Sequence, residues 1–186
     1  MTTVKQVAET LPSLFENRRE YQVVVRHDQT EVTYGYDNDV NKEYCDKNNI
    51  PYYNLHRAGG AIVHSKGNVA IFWLYRNDKY KRFMLEKALA DLKNYLNGKG
   101  IACNIEKNDI LVDGYKVAST AGYNLKPDYK WTLDGMQISI NQDIDKIENI
   151  CLKPMVKVPK GLSEYGITTA EIVEWCDKWM ADNTFE

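Results

Sequence analysis

Apolar residues in this chain recur at helical spacing in some stretches and alternate or run together in most of the others. Near the start, Val4, Val7, Ala8 and Leu11 share one helical face, and Pro12 predicts the end of that helix. Residues 80–96 carry the strongest helical pattern, with Leu85, Ala88, Leu89, Leu92 and Leu96 in one stripe and Gly98 placed to stop it. Residues 168–180 predict a closing helix: Thr168 and Glu171 can form a capping box, and Ile172, Val173, Cys176, Trp179 and Met180 face inward. A shorter helix is expected over 37–49, with Val40 and Tyr44 inward and acidic or amide residues at its start.

Between these lie strand patterns. Residues 21–26 and 31–35 read as strands joined by a polar turn at 27–30, and 69–75 is a run of β-branched and aromatic residues typical of a buried strand. Short strands follow at 101–105, 110–112 and 115–120, the last two joined by Asp113-Gly114, a strong hairpin signal. Residues 136–140 alternate apolar and polar and predict one more strand. Strands in blocks with helices packed on them define an α+β fold: one mixed, mostly antiparallel sheet covered by the 80–96 and 168–180 helices.

Composition narrows the class. At 186 residues, with 44% hydrophobic and 27% charged positions, the chain has the make-up of one globular domain. Lys and Arg total 24 against 26 Asp and Glu, so no strong positive field favours nucleic acid. The local basic cluster at Lys79, Lys81 and Arg82 reads as a solvated helix start. Cys45, Cys103, Cys151 and Cys176 are widely spaced, which fits neither a zinc ribbon nor a disulfide framework and suits a reducing compartment. Residues 1–10 lack a signal-peptide pattern, and no apolar run has membrane-spanning length. The expectation is a cytoplasmic protein that binds neither membrane nor nucleic acid.

Two segments carry residue types that suggest chemistry. In the first, Arg57 precedes Gly59-Gly60, where the lack of a Cβ lets a ligand approach the backbone and free N–H groups can face an anion. Arg57 adds a planar cation suited to carboxylate or phosphate. In the second, Lys116 stands between Tyr115 and Val117 in an otherwise buried strand. Taken singly, the glycines read as a tight turn and the lysine as a strand residue pointing to solvent. With partners, the lysine can neutralise an acyl phosphate or an attacked carbonyl.

Together the two segments resemble the lipoate/octanoate-protein ligase and transferase superfamily, related in fold to biotin-protein ligases. Its ligase branch carries Arg, a glycine run, Ala-Val, an aromatic, His and a Gly-Asn turn. Here Arg57, Gly59-Gly60, Ala61-Ile62-Val63-His64 and Gly67-Asn68 stand in that order. The family's Asn-Asp-Leu strand and following Lys strand are matched by Asn108-Asp109-Ile110 and Lys116-Val117-Ala118-Ser119. Thr33-Tyr34-Gly35-Tyr36 with Asp39-Val40-Asn41, and Gly135-Met136-Gln137-Ile138-Ser139-Ile140 with Asp143, extend the likeness over residues 21–179.

The resemblance implies residues 1–186 as a single catalytic domain, with 1–20 an N-terminal helical extension. It implies Lys116 as the catalytic cation and Arg57, Gly59, Gly60, Ala61, His64, Asn108, Asp109 and Ser119 as residues around the acyl or adenylate pocket. His64 is read two ways, as a pocket residue or as a satisfied structural histidine. No protein metal site is implied; ATP with Mg2+ would be used by a ligase, lipoate or octanoate is the substrate, and the partner is an acceptor protein bearing a lipoyl-type lysine.

There are departures. Ala58 interrupts the glycine run, and Asp134 stands where the family usually has a histidine. Octanoyltransferases place a nucleophilic Cys in a Pro-Cys-Gly turn; here it is Pro159-Lys160-Gly161. Cys151 lies outside that motif and reads as a small buried hydrophobe. The accessory C-terminal domain of many ligases has no counterpart in the sequence. A missing thiolate weighs against the two-step transferase and toward an ATP-dependent ligase. The alternatives are a transferase without the usual Cys and a non-catalytic domain that binds an acyl group or a partner.

Overall fold

A computed structural model describes residues 2–56, 59–77, 83–125 and 130–183. Its elements are α1 (Val4–Asn17), β1 (Tyr21–Arg26), β2 (Glu31–Tyr34), α2 (Lys42–Lys47), β3 (Tyr52–Asn54), β4 (Ile62–His64), β5 (Val69–Arg76) and α3 (Phe83–Gly98). They continue with β6 (Cys103–Glu106), β7 (Asp109–Val112), β8 (Tyr115–Asn124), β9 (Trp131–Ile138), α4 (Ile144–Ile150) and α5 (Thr169–Asp182), with a 3₁₀ turn at Leu162–Tyr165. Among the described residues the strands form a six-stranded sheet in the order β1-β5-β9-β8-β7-β6 and a three-stranded sheet, β3-β2-β4. The fold is α+β, as the residue pattern predicts. Two sheets replace the single one expected, however, and among the described strands the parallel pair is β2 with β3 in the small sheet, with isolated parallel bridges from Thr2 to Val25 and from Pro159 to Lys116 on the large one.

Strand β5 shows why residues 69–75 form an unbroken apolar run. Side chains alternate across a strand, and here both faces are covered. Val69, Ile71, Trp73 and Tyr75 enter a core with α3 and α5, while Ala70, Phe72 and Leu74 enter a second core with α1. The stripes of α3 and α5 face the first core as predicted, and the Trp179 indole N–H donates to Asp91 at 2.8 Å, tying the two helices together. The first turn of α3 was expected from residue 80; residues 78–82, including Lys79, Lys81 and Arg82, lie outside the described residues.

Two local expectations are corrected. Helix α1 continues through Pro12 to Asn17. The proline forfeits one backbone hydrogen bond, but Val4, Val7 and Leu11 are fully buried, with Leu14 and Phe15 packed beside them, and this packing carries the helix past it. Residues 27–30 do not close a hairpin, since β1 and β2 belong to different sheets. The chain crosses between sheets at His27, whose backbone N–H donates to Asn68 and whose carbonyl accepts from Gly67 at 2.7 Å. The neighbouring Gly67-Asn68 turn is pinned in turn, because Asn68 Oδ1 accepts from the backbone of Ile140 and Asn141. The Asp113-Gly114 hairpin matches expectation: φ is 51° and 83° at the two positions, the left-handed pair that a two-residue turn needs.

The capping box at α5 is complete, with Thr168 Oγ1 accepting from Glu171 N–H and the Glu171 carboxylate accepting from Thr168 N–H at 2.9 Å. Thr168→Ala is therefore expected to lower the unfolding free energy by about 1 kcal/mol in urea titration. An unchanged midpoint would contradict a stabilising role for this cap.

Candidate active site

The small sheet lies over one face of the large one, and between them runs a narrow apolar slot of about 50 Å³. Its floor is built by small and apolar residues of neighbouring strands: Ala70 and Phe72 on β5, Gly135 on β9 and Ala121 on β8. Ile62 and His64 on β4 and Thr33 on β2 close it from above. A second, polar cleft of about 480 Å³ adjoins it and shares Ile62, Ser119 and Gln137 with the slot. An apolar slot adjoining a more polar cleft suits a ligand with a hydrocarbon chain and a charged head.

Lys116 lines the polar chamber because the β8 strand is irregular beside it. Ile110 pairs with Ala118, but the next residue, Leu111, pairs with Lys116, so Val117 is passed over. Val117 and Ala118 both enter the core under α3. With two successive residues spent on that face, Lys116 emerges on the same face as Ser119, and both line the cleft. A bulge commonly re-aims a side chain in this way. The backbone of Lys116 is fixed on its outer side by residues 158–160: its N–H donates to Val158 at 3.0 Å and its carbonyl accepts from Lys160 at 2.9 Å.

Two other cations of the cleft, Lys153 and Lys157, are already engaged. Lys157 lies 3.0 Å from both Glu106 and Asp109, and Lys153 lies 3.1 Å from Asp37 and 3.6 Å from Asp39. These hydrogen-bonded carboxylates hold both ammonium groups above the ordinary lysine range. Among the described residues Lys116 makes no ion pair. It is close enough to Cys151, another cleft residue, for its charge to draw the thiol down, although burial is the larger influence and pushes that thiol up.

His64 lines the slot and His27 stands behind it. His27 and His64 stack with centroids 4.2 Å apart. His27 Nδ1 donates to Glu31 at 2.7 Å, and His64 bridges Thr33 at 2.8 Å and Gln137 at 2.6 Å. Burial pushes His27 down to about 3, with Asp28 pulling weakly upward. The folded chain thus refuses a proton that the unfolded chain accepts near its ordinary value of 6.5, so the His27 contribution is present above pH 6.5 and lost as pH falls toward 3. The loss is about 1.4 kcal/mol per pH unit at most. Glu31, which burial holds above its ordinary 4.5, works in the opposite sense above that pH. The expected result is a urea midpoint that falls between pH 7 and 5, and falls less in His27→Gln. Equal slopes in the two proteins would contradict this.

Of the residues singled out from sequence, Lys116, Asp109, Ser119 and Ala61 meet in the polar cleft, and His64 and Ser119 line the slot. Arg57 lies outside the described residues, as does Ala58. Gly59 and Gly60 stand beside the cleft rather than in its wall. Gly60 is packed on the Asp39 carboxylate, which a Cβ would strike, and the same carboxylate accepts the Ala61 N–H at 2.5 Å. Asn108 is a hairpin residue whose carbonyl accepts from Thr120 at 2.8 Å. Lys160 does not enter the cleft wall: its ammonium lies over Tyr115 and Tyr165 at 5.1 and 4.9 Å and pairs with Glu164 at 3.4 Å. Asp39, Gln137, Lys153 and Lys157 were not singled out as site residues. Gln137 left a signal in the alternation of 136–140, where it reads as a solvent-facing polar position.

The site is thus a slot and an adjoining cleft between a large antiparallel sheet and a small mixed one, with Lys116 on the polar side. Residues 8–179 match the profile of the lipoyl protein ligase A/B catalytic domain, and the chain belongs to that family. It is similar to the lipoate-protein ligase LplJ of Bacillus subtilis, with 23% identity over 156 residues covering 79% of this chain and 44% of that protein. The chain thus spans under half the length of this curated relative. Among solved structures, lipoate-protein ligase A bound with ATP superposes with a TM-score of 0.75 at 16% identity, covering 97% of this chain and 81% of that one. A bi-partite lipoate protein ligase from Thermoplasma acidophilum, described with its E2 lipoyl domain, gives 0.74 at 16% identity, covering 96% and 78%. LipL1 of P. falciparum in complex with lipoate gives 0.66 at 16% identity, covering 96% and 57%. The shared fold is that of a lipoate-protein ligase-like catalytic domain. Among the described residues no helix is long and apolar enough to cross a membrane.

Proposed function

We propose that this chain, as a single catalytic domain over residues 1–186, activates lipoate or octanoate with ATP and passes the acyl group to a lysine of an acceptor protein. The observation that carries this reading is the turn of Lys116 into the polar chamber at the end of an apolar slot. In the first step a carboxylate oxygen of the acid attacks the α-phosphorus of ATP, forming the acyl-adenylate and releasing pyrophosphate. In the second, the acceptor's neutral lysine amine attacks the carbonyl carbon, AMP leaves, and the amine loses a proton to form the amide.

Lys116 is the cation we assign to the phosphate and carbonyl charge in both steps, where a fixed ammonium in a sheltered site is far more effective than one in water. Ala61 and Ser119 would line the path between acyl chain and head. Asp109 acts through Lys157, Gly59 and Gly60 would border the nucleotide side, and Arg57 is assigned from the family pattern alone, as a cation for the polar head. His64 serves the slot wall, and Asn108 the hairpin that carries Asp109. No group of three or more His, Cys, Asp or Glu among the described residues is arranged to hold a metal ion. Mg2+ would therefore enter with the nucleotide, held mainly by its phosphates.

An acceptor of the lipoyl-domain class is supported by the T. acidophilum relative described with such a domain. The octanoyltransferase alternative is weakened, since Lys160 occupies the turn where that mechanism needs a thiolate and burial holds the Cys151 thiol protonated. We place the reaction in the cytoplasm, with no membrane or nucleic-acid partner. Mass spectrometry of an apo lipoyl domain tests the reading in two parallel reactions. One contains octanoate and Mg-ATP, the other octanoyl carrier protein without ATP. Acylation in the first alone supports the ligase, acylation in the second alone supports the transferase, and none in either leaves an acyl-binding module.

A further inference from the structure

We propose that Gln137 is a ligand-binding residue whose side-chain N–H2 donates to a carboxyl oxygen of the bound acid, fixing the depth at which the acyl chain sits. This inference rests on the reading of the slot as an acyl site. Gln137 stands on β9 between Ala70 of β5 and Ser119 of β8, and its side chain borders both the slot and the polar cleft. It is 8% exposed, yet among the described residues its Nε2 meets no acceptor.

The orientation of the amide is set from behind. His64 Nδ1 donates to Gln137 Oε1 at 2.6 Å, and the other ring nitrogen of His64 takes the Thr33 hydroxyl at 2.8 Å. Stacking on the neutral, buried His27 keeps the His64 ring in place. With Oε1 committed to His64, the amide nitrogen is the unpaired end of a side chain that borders both cavities. A buried donor without a partner is costly, and such groups in folded proteins are paired with protein, water or ligand.

The neighbouring chemistry selects the partner. The slot floor of Ala70, Phe72 and Gly135 accepts hydrocarbon and offers no hydrogen bond to a polar head. Lys116 lies in the adjoining cleft, so an acid whose chain fills the slot brings its carboxyl group to the junction, where Gln137 supplies a neutral donor and Lys116 the charge. A neutral donor there recognises the carbonyl oxygen both before activation, in the acid, and afterwards, in the mixed anhydride. The ligand class is an unbranched acyl acid with its carboxyl end at Gln137.

The test uses the full chain and octanoate, with no nucleotide or acceptor. In 15N,13C-labelled wild-type protein the Gln137 side-chain N–H2 pair, assigned by through-bond correlation, is expected to shift on addition of octanoate. Titration calorimetry should show octanoate binding Gln137→Met about 10-fold more weakly than wild type, the loss of one hydrogen bond to a charged group. The spectrum of wild type keeps the test valid even if Gln137→Met is poorly folded. Octanoate binding with the N–H2 pair unmoved, or with unchanged affinity in a folded Gln137→Met, overturns the role of Gln137 and leaves the acyl slot standing. Failure of wild type to bind octanoate or lipoate at all overturns the slot reading and this inference with it.

Discussion

Lys116→Ala is expected to lower acyl transfer about 100- to 1000-fold, the usual effect of removing one preorganised charge contact from a reacting oxygen. The effect should appear in kcat as well as kcat/KM, since the charge being neutralised grows as the phosphorus and carbonyl centres are attacked. Folding stability should change by less than about 0.5 kcal/mol. The lysine makes no ion pair among the described residues, and its strand is held by backbone hydrogen bonds to residues 158 and 160, which alanine retains. Steady-state kinetics on an apo lipoyl domain, paired with urea unfolding, separates the two quantities. By contrast, Lys160→Ala should leave turnover within a few-fold of wild type, because its ammonium sits over Tyr115 and Tyr165 outside the cleft wall. A Lys116→Ala protein with full activity would remove this residue from the chemistry.

Gly135→Val is expected to raise KM for octanoate about 100-fold or more while the fold stays intact. Gly135 lies on the slot floor, paired with Phe72 on one side and Ala121 on the other. A Cβ there would meet the Ile71 carbonyl at 3.4 Å and Phe72 Cδ1 at 3.5 Å, which are ordinary contacts, so the strand itself tolerates a side chain. A β-branched residue also suits a strand better than glycine does. The two methyl groups must then occupy a slot whose volume is only about 50 Å³ to begin with. Stability should therefore shift by less than about 1 kcal/mol while the acyl chain is shut out. Unchanged binding of octanoate in this variant, measured by calorimetry, would mean that the hydrocarbon chain lies elsewhere.

The parts of the fold that the sequence revealed are those with long periodic patterns. The stripe from Leu85 to Leu96 and the capped helix after Thr168 carry their burial in residue order, and the continuous apolar run of β5 reflects a strand covered on both faces. Strands β3 and β4 have three residues each, too few for a period to register, and they exist through long-range pairing with β2. The corner at His27 looked like a hairpin turn because its residues are polar; Asp28 and Gln29 are indeed exposed, but His27 is buried in a hydrogen bond to Glu31.

The site was legible through motif order more than through periodicity. Strict alternation back from Ser119, which faces the cleft, would put Lys116 on the opposite, core side. Only the bulge at Val117 returns it to the cleft, and a bulge of this kind leaves no residue signature. Lys160 shows the opposite case. Its place in the motif suggested a substitute for a lost thiol, whereas the aromatic rings of Tyr115 and Tyr165 draw its ammonium aside. Gln137 was in plain view as a polar residue in an alternating strand; what sequence could not supply was the second sheet that buries it.

The central claim, that slot and cleft form one acyl-adenylate site served by Lys116, is tested most directly by ATP–pyrophosphate exchange without any acceptor. Isotopic pyrophosphate should enter ATP only when octanoate or lipoate is present, and the rate should collapse in Lys116→Ala. Exchange that is absent with both acids, or equally fast in Lys116→Ala, would contradict the account.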